Sequence, residues 1–337
     1  MKKSILLFLT VLLVNCQNST EKKSIDFVLA FGSCNRQNVP NLLWNEVSKH
    51  KPNVWIWGGD VVYADTDDMQ KLAYDYQMQW KQNGYRKFAE STHMMGTWDD
   101  HDYGLNDGGV EFHKKKESQQ LFLDFINVPV DSPRRKREGV YHSELFETKN
   151  GRIKIIVLDT RYFRTSLAKS SDPSKRYQPN AYGEGTILGN TQWEWLQTEL
   201  TSSKADFNII MSSVQLLSYK HGYESWGNFP HEVDKLKNLI VRSKAKRVLV
   251  LSGDRHISEI SSTTITGSEN PLFDFTSSGL THSYTNFSNE ENPYRIGTVV
   301  SQRSFGLIKF DLSSKILTLQ MRGVDNILQQ EFIHAYN

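Results

Sequence analysis

The sequence predicts an α/β fold assembled around parallel strands. Two near-continuous apolar runs, "IDFVLAFGSC" and "PNVWIWGGD", end in small or acidic residues, as strands covered on both faces do. Between them Pro40 opens an amphipathic stretch, "PNLLWNEVSKH", with Leu42, Leu43, Trp44 and Val47 available to one side. Strand, helix and strand of these lengths make a right-handed parallel unit. Beyond about residue 257 the pattern changes to alternating strands separated by turn residues, which close the core or add a second sheet.

Taken in order, the chain begins with a segment outside this fold. Lys2 and Lys3 precede an apolar run from Ile5 to Val14, too short to span a bilayer and of the length of a secretory signal core. The run leads to Cys16, and "QNSTEKKS" follows as a polar linker, so residues 1–16 are expected to be a signal peptide and 17–24 a linker. A cysteine in this place resembles the bacterial lipoprotein signal, in which the cysteine is lipidated after cleavage. Asn15 departs from the Gly, Ala or Ser that this pattern prefers. The expectation is export, as a periplasmic or outer-membrane lipoprotein attached through Cys16, with plain secretion as the alternative. Cys34 is then the one remaining cysteine and has no partner in the chain. It is either a buried small hydrophobe or an occupied thiolate.

From residue 25 to 337 a single domain is expected, with no fixed-period repeat and no low-complexity tract. Helices are expected over 68–80, 116–126, 191–201 and 231–242. Strands are expected in "HMMGT", "RIKIIVLD", "FNIIMSS" and "KRVLVLSGD", then in "ISEISSTTI", "PLFDFTSSG", "SFGLIKFDLSS" and "KILTLQMRG". Hydrophobic residues at 38% and charged residues at 23% exclude a disordered chain. A net charge of +2 gives no global attraction to polyanions, so nucleic acid enters only as a substrate.

Chemistry concentrates at the strand ends, where open α/β sheets hold their ligands. Cys34, Asp60, the stretch Trp98 to Asp102, Arg161 with Arg164, Gln215, and Asp254 with His256 all follow expected strands. Any one strand-end Asp is ordinarily a helix cap or turn residue. "GTWDDHDYGLNDGG" is harder to dismiss, because it packs Asp99, Asp100, Asp102, Asp107, the Asn106 amide and His101 into residues 96–109. Carboxylates this close repel one another and lose hydration if buried. Either the loop is simply solvated, or a cation faces it. Together the strand ends describe an oxygen-rich site with an imidazole, a thiolate and a nearby guanidinium, suited to Ca²⁺, Mn²⁺ or iron.

The ordered set "FGSC", "GDVVY", "WDDHDYGLND", "LDTRYFR" and "SGDRH" resembles the PhoD-like alkaline phosphatase and phosphodiesterase family of the metallophosphatase superfamily, over about residues 28 to 310. The resemblance implies a four-layered αββα sandwich with two mixed sheets, and metal-dependent hydrolysis of phosphate esters. It implies iron (Fe³⁺) with calcium, manganese or another divalent ion being an alternative. Cys34, Tyr63 and His256 resemble ligands of the iron-type metal, and Asp60 the carboxylate bridging the metals. Asp254 resembles a ligand of the second metal, as do Asp100 and Asn106, whose relative roles stay open. His101 resembles the histidine that contacts the phosphate or protonates the leaving group, with Asp102 orienting it. Arg161 resembles the arginine that grips phosphate oxygens, with Arg164 beside it. Gln215 stands where many metallophosphatases have a metal-binding histidine, so its role stays open. Larger members carry an N-terminal β-domain, and the short stretch before the first strand implies a short form without it.

Two further segments have open readings. "SPRRKREG" is a solvated loop or a collector of anionic substrate. "SKRYQPNAYGEG" is a long polar connection that would border the entrance. For the whole chain, two alternatives to a phosphoric ester hydrolase remain. One is a non-catalytic surface lipoprotein that binds metal or a phosphorylated ligand; the other is a hydrolase of a different ester such as sulfate.

Overall fold

The computed structural model describes residues 25–288 and 290–337. The expected signal segment, Cys16 and the polar linker lie outside the described residues. The expected first unit forms as β1 (Phe27–Gly32), α1 (Trp44–Lys49) and β2 (Val54–Gly58), followed by α2 (Met69–Trp80), α3 (Tyr85–Ser91) and β3 (His93–Thr97). A single-turn α4 (Asp100–Tyr103) and α5 (Lys115–Phe125) lead to β4 (His142–Thr148) and β5 (Gly151–Val157). A short ladder of β6 (Ala168–Lys169) and β7 (Tyr177–Gln178) precedes α6 (Gly189–Thr201), β8 (Phe207–Met211), α7 (Pro230–Ser243) and β9 (Val248–Ser252). Then come β10 (Ser258–Thr263), β11 (Leu272–Ser277), β12 (Arg295–Val300), β13 (Ser304–Asp311), β14 (Ile316–Gly323) and β15 (Leu328–Ala335).

Two large sheets result. The first has the order β15-β14-β13-β1-β2-β3, and the second β12-β10-β11-β9-β8-β5-β4. Each is mixed: β1, β2 and β3 run parallel while β13 pairs antiparallel with β1. Likewise β5, β8, β9 and β11 run parallel, with β4 and β10 antiparallel at their flanks.

Strand alternation explains the layering. One face of each sheet meets the other sheet, where Leu29, Phe31 and Ile56 pack with Ile155, Ile209, Leu249 and Phe275. The opposite face of the first sheet, through Trp55 and Trp57, packs on Trp44, Leu72, Phe88 and Phe122 from its helices. On the far side Ile156, Ile210 and Val250 pack on Leu196, Leu200, Leu236 and Ile240 from α6 and α7. Helix, sheet, sheet and helix therefore stack as four layers, and burial on both faces accounts for the unbroken apolar runs. Each fully buried side chain of this kind is worth roughly 1.5–3 kcal/mol.

The start of the first helix differs from the sequence reading by several residues. α1 starts at Trp44, not at Pro40. The Asn41 side chain accepts from Leu43 N at 2.8 Å and donates to Asn35 at 2.9 Å, making a local turn that delays the helix.

Candidate metal centre

The parallel strands of both sheets bring their carboxyl ends together, and sharp turns there aim side chains into one hollow. Cys34 (φ 60°), Asp60 (φ 50°), Asp254 (φ 67°) and His256 (φ 55°) all adopt left-handed backbone, uncommon for residues with a Cβ. Such conformations cost of order 1–3 kcal/mol each and persist where the surroundings enforce them. Gly59 makes the β2 turn feasible: its φ is +95°, and a Cβ there would lie 2.4 Å from the Asp99 Cβ. Asp102 locks the β2 and β3 turns together, accepting from the backbone N–H of Asp60 (3.3 Å), Val61 (3.1 Å) and Asp99 (2.6 Å).

Three adjoining groups of donor atoms follow, each within 4.8 Å: Cys34 with Asp60 and His256, Asp60 with Asp100 and His101, and Asp99 with Asp100 and Asp254. Asp60 and Asp100 each belong to two of these groups. The Tyr63 hydroxyl sits between the first group's members, 3.1 Å from Asp60 Oδ2 and 3.0 Å from His256 Nε2. Cys34 Sγ lies 3.3 Å from Asp60 Oδ2 and 3.0 Å from Ser278 Oγ. Asp60, Asp100, His101, Asp254 and His256 of these groups line a cavity of about 320 Å³ together with Asn106, Arg176, Tyr223, Arg255 and Tyr284, while Cys34 and Asp99 are fully buried and do not line it.

Electrostatics fit this donor set to cations. Burial pushes the Cys34 thiol up to about 11, the nearby Asp254 adding to it against the Ser278 hydrogen bond. Burial likewise raises Asp60 well above the carboxylate range, and lifts Asp254 to about 7. Asp60 Oδ1 and Asp99 Oδ2 are buried without a partner among the described residues. Buried acidic donors held this way bind protons or metal, and a bound cation would reverse the shifts. Burial opposes charge on His101, but Asp60, Asp65 and Asp100 outweigh it and hold the imidazole up at about 10.

Several expected residues fall elsewhere than their motifs suggested. Asp102 does not touch His101; its carboxylate is spent on backbone amides, and Asp65 takes the expected role, with oxygens 2.7 and 2.8 Å from His101 Nδ1. Arg161 is wholly buried and does not line the cavity. Its Nε donates to Asp99 Oδ1 (2.6 Å) and its NH1 to Glu224 Oε2 (2.6 Å), so the guanidinium neutralises carboxylates beneath the site. Arg164 pairs with Glu224 at 3.0 Å and with the Asp107 carbonyl, and is likewise buried outside the cavity lining. Gln215 donates to Glu259 Oε1 and Thr276 Oγ1, both at 2.8 Å, inside the second sheet's polar interior. Asn106 is exposed on the cavity wall, whereas Asp100 is buried and accepts from the N–H of His101 and Asp107 at 3.0 and 2.8 Å.

The two open segments also resolve. None of the "SPRRKREG" cations lines the cavity: Arg135 pairs with Asp124 at 2.7 Å, Arg134 donates to His142 at 2.9 Å, and Arg137 lies 4.0 Å over Tyr141. "SKRYQPNAYGEG" does reach the entrance, where Arg176 lines the cavity and Tyr177 donates to Asp107 at 2.6 Å.

Asp65, Glu224 and Arg255 were missed as site residues. Asp65 follows Tyr63 by two positions in "GDVVYADT" and carried a signal, a carboxylate just past a metal-type strand end. Glu224 lies in a loop with no motif, and nothing in its surroundings marks it in sequence. Arg255 stood inside "SGDRH" between two expected ligands.

The sequence matches the PhoD-like phosphatase family over residues 29–327. Over 110 residues it is 28% identical to alkaline phosphatase D of Bacillus subtilis (strain 168), a match covering 30% of this chain and 19% of that protein. The solved structure of PhoD aligns with a TM-score of 0.69 at 19% identity, covering 93% of this chain and 69% of that one. A dimetal phosphatase from Danio rerio aligns with a TM-score of 0.53 at 12% identity, over 93% of this chain and 100% of its own. These structural likenesses carry the same mixed two-sheet architecture, and with the match along nearly the whole described chain they place the protein: it belongs to the PhoD-like phosphatase family.

Proposed function

We propose that the protein is an exported, metal-dependent phosphoric ester hydrolase acting on phosphodiesters, phosphomonoesters or both. The observation that carries this reading is the sharing of Asp60 and Asp100, both lining the cavity, among three adjoining donor groups. Shared carboxylates of this kind suit cations held side by side.

The donor types grade across these groups. Cys34, Tyr63 and His256 suit iron at the Asp60 end, while Asp99, Asp100 and Asp254, with Asn106 on the wall, suit calcium or manganese. Cations in these places would acidify water and so supply a nucleophile at neutral pH. The chain's own residues provide the rest. Asp65 holds His101 Nδ1, leaving Nε2 as the nitrogen able to exchange a proton with substrate. Tyr63 stacks on the same imidazole at 4.1 Å and 29°, fixing the ring plane. As the bond from phosphorus to the leaving oxygen breaks, His101 is positioned to give that oxygen its proton.

Export rests on the basic start, the short apolar run and Cys16, which would carry the lipid. Turnover of p-nitrophenyl phosphate, bis-p-nitrophenyl phosphate and p-nitrophenyl sulfate, with and without chelator, tests the activity. Chelator-sensitive release from the phosphate esters is expected. Release from the sulfate alone, or from none, would overturn the reading.

Metal assignment has its own test. A thiolate and a phenolate on one ferric ion should give a visible absorption band that Cys34→Ser weakens and Cys34→Asp removes from its sulfur part. Colourless protein, fully active on calcium or manganese alone, would refute iron.

A further inference from the structure

With Arg161 buried under the site, the guanidinium groups that line the cavity are those of Arg176 and Arg255. Arg255 lies between the donors Asp254 and His256, lines the cavity, and is only 8% exposed. Its NH2 is anchored by both Glu290 oxygens, at 2.7 and 2.9 Å. Its guanidinium carbon sits 4.3 Å over the Tyr223 ring, which fixes the plane. Its NH1 is accessible and makes no hydrogen bond among the described residues, whereas the Nε is shut away in the wall. An accessible guanidinium N–H left unpaired in a cavity wall is a donor that a ligand can take. The other cavity guanidinium, Arg176, is nearly half exposed and paired with Asp107 at 2.5 Å. It is the less pre-organised of the two.

Resting on the hydrolase reading, we propose that Arg255 is the residue that engages the substrate's non-bridging phosphate oxygens, and that it biases the site toward dianionic monoesters over monoanionic diesters. Glu290 and Tyr223 are its positioning residues. The bias follows from charge: a fixed cation in a partly desolvated wall attracts a dianion more strongly than a monoanion. A diester has one fewer anionic oxygen to offer.

The test compares wild type, Arg255→Met, Arg255→Lys and Glu290→Gln, all checked for equal metal content. For each, kcat/KM is measured on p-nitrophenyl phosphate and bis-p-nitrophenyl phosphate above pH 8, and binding of inorganic phosphate is measured by calorimetry. Arg255→Met keeps the aliphatic packing on Tyr223 and should lower monoester kcat/KM about 10- to 100-fold. The diester should lose several-fold less, and phosphate should bind at least about 10-fold more weakly. Arg255→Lys should recover part of the loss, since an ammonium carries the charge without the planar fork. Glu290→Gln should show the same substrate bias at smaller amplitude. Equal losses on both esters with unchanged phosphate binding would overturn the assignment. A wild type without turnover would instead refute the hydrolase reading, and the phosphate-binding comparison would still decide for or against Arg255.

Discussion

Asp60 is the residue on which the site turns, because its carboxylate meets Cys34 and Tyr63 through Oδ2 while Oδ1 stays buried and unpartnered among the described residues. Asp60→Ala is expected to release metal and cut turnover by more than about 100-fold, exceeding what outer partners of a metal site cause. Elemental analysis beside kcat checks it; two retained metals with near-normal activity would refute the shared role. Arg161 leads to a different expectation from the one its motif suggested. Since it neutralises Asp99 and Glu224 in the interior, Arg161→Ala strands the buried Asp99, leaves Glu224 to Arg164 alone, and should cost about 3–5 kcal/mol in a denaturant titration. A variant of normal stability that had lost only kcat/KM would restore a direct role on phosphate.

At the scale of elements, the turn after β2 and the edge strand β4 make separate predictions. Gly59→Ala forces a Cβ against Asp99 at a left-handed position, and should destabilise by at least about 1–3 kcal/mol while displacing Asp60. Unfolding midpoints together with metal content read both effects, and an unperturbed variant would show that the turn adjusts freely. In β4, burial first and then Arg134 hold His142 well below the ordinary histidine range. The Arg134 guanidinium donates to its Nδ1, so the folded ring must be neutral. The unfolded ring takes a proton near pH 6.5. Stability from this group is therefore fully present above that pH and lost as pH falls below it, at up to about 1.4 kcal/mol per unit. His142→Gln should flatten the stability loss between pH 7 and 5 relative to wild type, and identical slopes would rule the group out. These elements also show what sequence could reveal. Strands buried on both faces, such as "VWIWG", were legible because nearly every residue is apolar. β4 ("HSELFET"), β12 ("RIGTVV") and β15 ("LQQEFIHA") were not, being partly exposed edge or near-edge strands with charged or glycine interruptions. Strand ends named the residues that converge, from Cys34 to His256. Spacing alone could not say which carboxylate a buried Arg161 would meet, or that Asp65 and not Asp102 would face His101.

For the whole molecule, the donors come from both sheets: Cys34, Asp60 and Asp100 follow strands of the first, Asp254 and His256 a strand of the second. Cations bound there would tie the sheets together, so metal binding and folding are coupled. At a cation concentration of 1,000 times Kd the added stability is about 4.1 kcal/mol. Chelation should accordingly lower Tm by several degrees or more, reversed by adding cation back. A Tm indifferent to chelator would mean the donors hold no ion in the native protein. The central claim, that shared carboxylates form a catalytic metal centre, is tested most directly by titrating cation into chelated protein while following p-nitrophenyl phosphate turnover and bound metal per chain. Turnover should be negligible at the start and should rise with metal occupancy, levelling off only when at least two ions are bound per chain. Full turnover in the metal-free protein, or saturation of both metal sites without any turnover, would contradict it.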